Sequence, residues 1–195
     1  IEQLEQSGEL VRINEKVSPE LEISEIVDRV SKSKDGGKAL LFENNGTQFP
    51  VLINMYGSLS RMCSVLRVND IDDVAKRIYK VWEVVTTPKA ALGDKLKMIP
   101  LAAEAAKWLP KYTKRKGACQ QVIKRDGEVD LEELPILKCW KNDGGRFITL
   151  PMVTTVDPDS GARNVGMYRM QILDKNSTAL HWHPHKTGAK HYEAW

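Results

Sequence analysis

The apolar pattern of this 195-residue chain changes period near residue 115, and that change limits what it can fold into. Before it, Ile71, Val74, Ala75, Ile78, Val81, Trp82 and Val85 recur at steps of three and four. Asp72, Lys76, Arg77, Lys80 and Glu83 fall on the opposite side, which predicts an amphipathic helix opened by Asn69 or Asp70. Trp82 lies on the apolar stripe and is expected in the core. After residue 115 the runs are short and β-rich: Val122-Ile123, Ile148-Thr149, Val153-Thr154-Thr155-Val156 and Met167 to Leu173. Turn signals separate them at Asp126-Gly127, Asp143-Gly144-Gly145 and Asp157-Pro158-Asp159-Ser160-Gly161. Such lengths suit antiparallel strands of a barrel-like sheet.

The rest of the first part alternates helix and strand signals. Ile1 to Gln6 ends a helix with Gly8 as its left-handed stop, and Leu10-Val11-Arg12-Ile13 reads as a strand. Ser18-Pro19-Glu20 reads as a helix start, followed by Ile23, Ile26, Val27 and Val30 at helical spacing. Gly36-Gly37 breaks the chain before two strands, Ala39-Leu40-Leu41-Phe42, read as buried, and Phe49-Pro50-Val51-Leu52-Ile53. A looser helix is expected over Ala102 to Leu109, stopped by Pro110. The basic loop from Lys111 to Gly117 is the expected boundary. An α/β domain over 1–115 is then followed by the beginning of a β-rich domain over 116–195. A half-built sheet exposes edges that must be paired or covered. The chain also starts at Ile1, and its four histidines, His181, His183, His185 and His191, fall within its last fifteen residues. We therefore expect it to be incomplete at both ends.

Composition removes several classes of function. A net charge of +3 gives no basic face for nucleic acid, and Lys111, Lys114, Arg115 and Lys116 read as a solvated loop. Cys63, Cys119 and Cys139 are odd in number and form no C-x-x-C pair, which suits free thiols in a reducing cytosol. No apolar run of ~18 residues is present to span a membrane, and no signal peptide is visible. Lys186-Thr187-Gly188-Ala189-Lys190 lacks the spacing of a phosphate-binding P-loop.

Two segments carry chemistry. In an extended His181-Trp182-His183-Pro184-His185, alternation puts the three imidazoles on one side and Trp182 on the other, a suggestive metal arrangement. Surface or backbone-bonded histidines would look the same. In Asn164-Val165-Gly166-Met167-Tyr168-Arg169-Met170-Gln171, Gly166 allows close approach of backbone to a ligand and Asn164 offers an amide oxygen to a hard cation. In a strand, Tyr168 and Met170 would share one face and Met167, Arg169 and Gln171 the other. An inward-facing Arg169 would need a partner, and a structural ion pair or an exposed sheet face would both account for it.

Read together with Leu4-Glu5-Gln6-Ser7-Gly8-Glu9-Leu10, Ala39 to Asn44, Gly117-Ala118-Cys119-Gln120-Gln121 and His181 to Ala189, these segments resemble the UbiD decarboxylase family along nearly the whole chain. The resemblance implies an N-terminal α/β domain followed by the first part of a split-barrel domain that binds prenylated FMN. It implies non-oxidative, reversible decarboxylation of an aromatic or α,β-unsaturated acid, such as a polyprenyl-hydroxybenzoate of quinone biosynthesis. Asn164 and His185 match ligands of a divalent manganese or magnesium ion that anchors the flavin phosphate, with a potassium ion as a further cofactor. Arg169 matches the arginine of a Glu-Arg-Glu catalytic set. Thr149, Gly166, Met167, Tyr168, Arg169, Pro184 and His185 would line the flavin site. The family's metal-binding glutamate and both catalytic glutamates match no residue here, and Glu193 stands at the wrong position. The resemblance also implies a flavin prenyltransferase as cofactor supplier and homo-oligomers, and the protein is expected in the cytoplasm, with peripheral membrane association as an alternative. Two other readings are a cupin-type histidine-metal protein, which would need a glutamate at a short set distance that Glu193 does not meet, and a non-catalytic truncated piece or paralogue that binds flavin weakly or serves in assembly.

Overall fold

The structure is a computed structural model that describes residues 1–86, 100, 103, 106, 107, 109 and 114–195. These group into two compact units, Ile1–Ser58 with Arg125–Trp195, and Leu59–Lys124. The mixed α/β architecture with small sheets matches the expected class. The helix expected over Ala102 to Leu109 and the start of the basic loop lie largely outside the described residues.

In the first unit, helix α1 (Glu2–Gln6) ends at Gly8, whose φ of +69° is the left-handed stop. Strand β1 (Leu10–Ile13) then runs parallel to β2 (Ala39–Phe42), which pairs antiparallel with β3 (Val51–Ile53). A parallel pair needs a crossover, and helix α2 (Glu22–Ser31) supplies it. All four residues of β2 are buried, as the unbroken apolar run implies. Val17, Ile23, Leu40 and Phe42 form the core, and Ile13, Ile26, Val27, Val30, Val51, Ile53 and Leu137 pack onto it. Leu137 arrives from a segment more than eighty residues downstream of β3.

That same downstream segment delays α2. Ser18 was read as the helix cap, yet the helix begins at Glu22, after Leu21 at φ +68°. The local capping groups are present: Ser18 Oγ accepts the Glu20 N–H at 3.0 Å, and the Glu22 carboxylate accepts the Ser18 N–H at 2.7 Å. What intervenes is Lys138. Its backbone N–H donates to Pro19 O at 3.2 Å and its carbonyl accepts from Leu21 N–H at 2.9 Å, making a parallel bridge at Glu20. These tertiary bonds hold the segment extended for one more turn.

The rest of this unit is two antiparallel sheets. Strand β5 (Met152–Val156) and β6 (Arg163–Met167) form a ribbon around the Asp157–Gly161 turn. Strand β7 (Met170–Ile172) lies between β4 (Phe147–Ile148) and β8 (Thr178–Leu180). The Met167–Leu173 run expected as one strand is therefore two, in different sheets, broken at Tyr168-Arg169. The expected strand at Val122-Ile123 is irregular and exposed, and finds no partner strand among the described residues. The chain then runs into helix α5 (Thr187–Ala194), which packs on the β5–β6 ribbon.

In the second unit, helix α3 (Leu59–Leu66), not foreseen from the sequence, precedes α4 (Asp72–Thr86). The Asp70 carboxylate accepts the Asp72 N–H at 2.9 Å, consistent with a start at this position. Trp82, expected in the core, is 64% exposed, and Ile78 is exposed on the same face. Periodicity marks an apolar stripe; burial requires a partner surface, and among the described residues Ile78 and Trp82 stay mostly exposed while Ile71, Val74 and Val81 are half-buried.

Substitution of Phe42 by Ala should cost about 3–5 kcal/mol in chemical denaturation, because the ring is fully buried in the core. Two exposed turns carry a weaker, pH-dependent contribution. The Ser160 and Asp159 N–H groups donate to Asp157, and those of Asn176 and Ser177 to Asp174, at 2.8–3.1 Å, which holds both carboxyls below their ordinary range. A lowered folded-state pKa adds stability above the unfolded value and loses it as pH falls through the folded one. The melting temperature should therefore drop on acidification below about pH 4, and Asp157→Asn should reduce that drop.

Candidate functional site

Three of the residues singled out from the sequence, Asn164, Gly166 and Tyr168, meet where the β5–β6 ribbon faces α5. Cross-strand register pairs Thr155 with Asn164 and Val153 with Gly166, so these side chains share the partly covered face. The opposite face, with Met152, Val156, Val165 and Met167, is exposed. Asn164 Nδ2 donates both to Thr155 Oγ1 and to the Tyr168 hydroxyl, each at 3.2 Å. Tyr168 is buried, and its hydroxyl also accepts the backbone N–H of Gly188 at 2.9 Å. Thr155 Oγ1 lies 2.9 Å from Nδ1 of His191, itself only 6% exposed. One hydroxyl thus ties Asn164 to the first turn of α5, the helix that follows His185.

Packing around Tyr168 explains two glycines. Its ring lies 4.7 Å from that of Trp182, which in turn stacks on Tyr192 at 6.3 Å. A Cβ on Gly166 would come within 2.5 Å of the Tyr168 ring, and one on Gly188 would fall between the Trp182 ring and the Tyr168 hydroxyl. The side on which a Cβ of Gly166 would stand is filled by Tyr168.

The histidine row behaves as alternation implies. His181, His183 and His185 are exposed, with ring centroids 5.2 and 5.5 Å apart in sequence, while Trp182 turns inward. Pro184 and His185 form the turn into α5. Among the described residues no group of three or more His, Cys, Asp and Glu side chains gathers as a metal site. Asn164 nevertheless suits a hard cation. Both of its amide hydrogens are engaged, which leaves Oδ1 as the free end, and oxygen is the donor magnesium and manganese favour.

Arg169 belongs to a different neighbourhood. Its guanidinium lies over the Phe147 ring, 3.9 Å from the centroid, and 3.9 Å from the Asp143 carboxylate, with the side chain 42% exposed. Its carbonyl accepts the His181 N–H at 3.4 Å. Thr149, just past β4, and Met167 are exposed. No described contact joins Arg169 or Thr149 to the Asn164 cluster.

Sequence reasoning passed over Thr155 and His191. Hairpin arithmetic could have found the first, since 155 and 164 flank the Asp157–Gly161 turn as register partners. His191 carried a weaker signal: it lies three residues beyond Gly188, on the same face of a short helix.

Comparison with known proteins places this geometry in a family context. Residues 1–80 match the profile of the 3-octaprenyl-4-hydroxybenzoate carboxy-lyase N-terminal domain, and residues 111–195 that of the carboxy-lyase Rift-related domain. An uncharacterised protein of Aquifex aeolicus is 48% identical over 193 residues, 98% of this chain and 39% of its own length. The chain thus spans about two fifths of that relative. Vanillic acid decarboxylase of Sedimentibacter hydroxybenzoicus in its closed form superposes with a TM-score of 0.72 at 25% identity, over 98% of this chain and 38% of that one. An evolved dimeric form of the UbiD-class enzyme HmfF from Pelotomaculum thermopropionicum, in complex with prFMN, shares the fold at a TM-score of 0.67 and 24% identity, over 96% of this chain and 38% of that one.

Tyr168→Phe should remove the acceptor shared by Asn164 and Gly188. The Gly188 N–H would lose its buried partner, and stability should fall by about 1–3 kcal/mol in denaturant titration. Gly188→Ala should cost a similar ~1–3 kcal/mol through overpacking against Trp182.

Proposed function

Since the chain belongs to the UbiD family of 3-octaprenyl-4-hydroxybenzoate carboxy-lyases, we propose that it forms part of a non-oxidative, reversible decarboxylase acting on an aromatic or α,β-unsaturated carboxylic acid with prenylated FMN. The observation that carries this reading is the single Tyr168 hydroxyl that ties the Asn164 strand to the first turn after His185, the two positions expected to hold a divalent metal. In this reading 1–115 is the N-terminal α/β domain and 116–195 the first part of the split barrel. The solved relatives bound to prFMN or acting on vanillic acid support the flavin and the aryl-acid class. A polyprenyl-hydroxybenzoate-like acid of quinone biosynthesis is the substrate we favour, in line with the name of the matching profiles.

The residues present suit this role chemically. A phosphate carries close to two negative charges near neutral pH and needs cations to remain in a partly buried site. Asn164 and His185 are neutral donors, so they would hold manganese or magnesium without cancelling its charge, leaving that charge for the phosphate. Thr149, Gly166, Met167, Tyr168 and Pro184 would border the flavin, with potassium as a further ion. When bound, the prenylated flavin supplies the electron sink as CO2 departs. Arg169 would grip the substrate carboxylate through its planar fork. Its contacts with Phe147 and Asp143 hold the guanidinium at a partly open surface, where a carboxylate can reach it. The proton donor of the family matches no residue of this chain. A flavin prenyltransferase would supply the cofactor, and the assembly would be a homo-oligomer. Among the described residues, no helix is long and apolar enough to cross a membrane.

In the full-length protein, Arg169→Ala should abolish decarboxylation while flavin absorbance is retained. His185→Ala should lose metal and flavin together. Wild-type turnover by the first variant, or full metal and flavin occupancy in the second, would remove the corresponding assignment.

A further inference from the structure

We propose that His191 is a positioning residue that, through Thr155, fixes the amide of Asn164 with its oxygen as the free, ligand-presenting end. The inference rests on the reading of Asn164 as a metal ligand and extends it to two residues to which that reading gives no role.

An asparagine amide has two faces of opposite character, a carbonyl that accepts and an NH2 that donates, and they are nearly isosteric. Left alone, Asn164 could turn either end toward Thr155 and Tyr168. Each of those partners is a hydroxyl, which can accept or donate. Hydroxyls by themselves therefore do not choose the orientation. A third group must commit one of them.

His191 Nδ1, at 2.9 Å from Thr155 Oγ1, is that group. A threonine hydroxyl has one proton. If Nδ1 is unprotonated and accepts that proton, only lone pairs of Oγ1 face Asn164. The amide must then present Nδ2, as it does at 3.2 Å, with its second hydrogen on the Tyr168 hydroxyl. Oδ1 is left for a cation. With a proton on Nδ1 instead, Thr155 would be free to donate to the amide and the flipped orientation would be stabilised. The tautomer of His191 thus selects which end of Asn164 is offered.

The surroundings hold this relay still. His191 is on the buried face of α5 beside Gly188 and Ala189, and Thr155 is locked opposite Asn164 by the ribbon register. Groups that orient a metal ligand in this way are worth roughly 10–100-fold in metal affinity.

The test measures Mn2+ binding to the full-length protein by electron paramagnetic resonance, following the signal of the free ion. Thr155→Val keeps the shape of the side chain and removes the hydroxyl. It should weaken Mn2+ binding by about 10–100-fold, and Thr155→Ser should restore it. His191→Leu should behave as Thr155→Val does. Asn164→Ala separates the two layers of the argument. If it loses Mn2+ while Thr155→Val binds as wild type, the positioning role is overturned and Asn164 remains a ligand. If it binds Mn2+ unchanged, the ligand assignment falls and the relay with it. Nitrogen-15 NMR of the unsubstituted protein gives a readout independent of variant folding: the inference expects His191 protonated at Nε2 alone, and a proton on Nδ1 would overturn it.

Discussion

Three parts of the chain depend on where one phenol ring sits. Tyr168 stands at the point where the chain leaves the β5–β6 ribbon for the β4–β7–β8 sheet, and its ring turns inward instead of continuing a strand. The hydroxyl then accepts from Gly188 at the head of α5 and from Asn164 on β6. A buried hydroxyl that lacked these partners would be costly, and the two N–H groups would lose theirs as well. The bonds therefore act together: they dock the last helix, break the strand and tie Asn164 to both. Gly166 and Gly188 provide the room that this requires, since a side chain at either position would displace the ring.

The amino-terminal half shows the same interplay of local preference and distant contact. Its small sheet and covering helix follow from apolar runs and a parallel crossover. The core is completed by Leu137, and the start of α2 is set by the backbone of Lys138. Residues 1–58 therefore share one compact unit with residues 125–195, although a change of sequence texture lies between them.

For function, the division of labour among side chains follows their charge. Asn164 is an uncharged member of the hydrogen-bonded cluster, whereas the permanent charge of Arg169 is kept apart, over Phe147 and beside Asp143. A guanidinium beside the Asn164 amide would compete for its oxygen. A guanidinium held elsewhere on a partly open surface does not.

Much of this was legible in the residues themselves. Strands β1, β2 and β5 and the body of α4 follow from apolar spacing and turn chemistry, which act over a few residues. The inward turn of Trp182 and the outward row of His181, His183 and His185 follow from alternation alone. The late start of α2, the split of the Met167–Leu173 run and the exposure of Trp82 did not follow, because each depends on whether a distant surface pairs with or covers the segment. Residue chemistry alone marked Asn164 and the histidine row as donors that suit a cation, because an amide oxygen and an imidazole have that property wherever they stand. That Thr155 and His191 stand behind Asn164 follows from the fold alone, because a hydrogen bond between residues 36 apart exists only once a helix has been laid across a sheet.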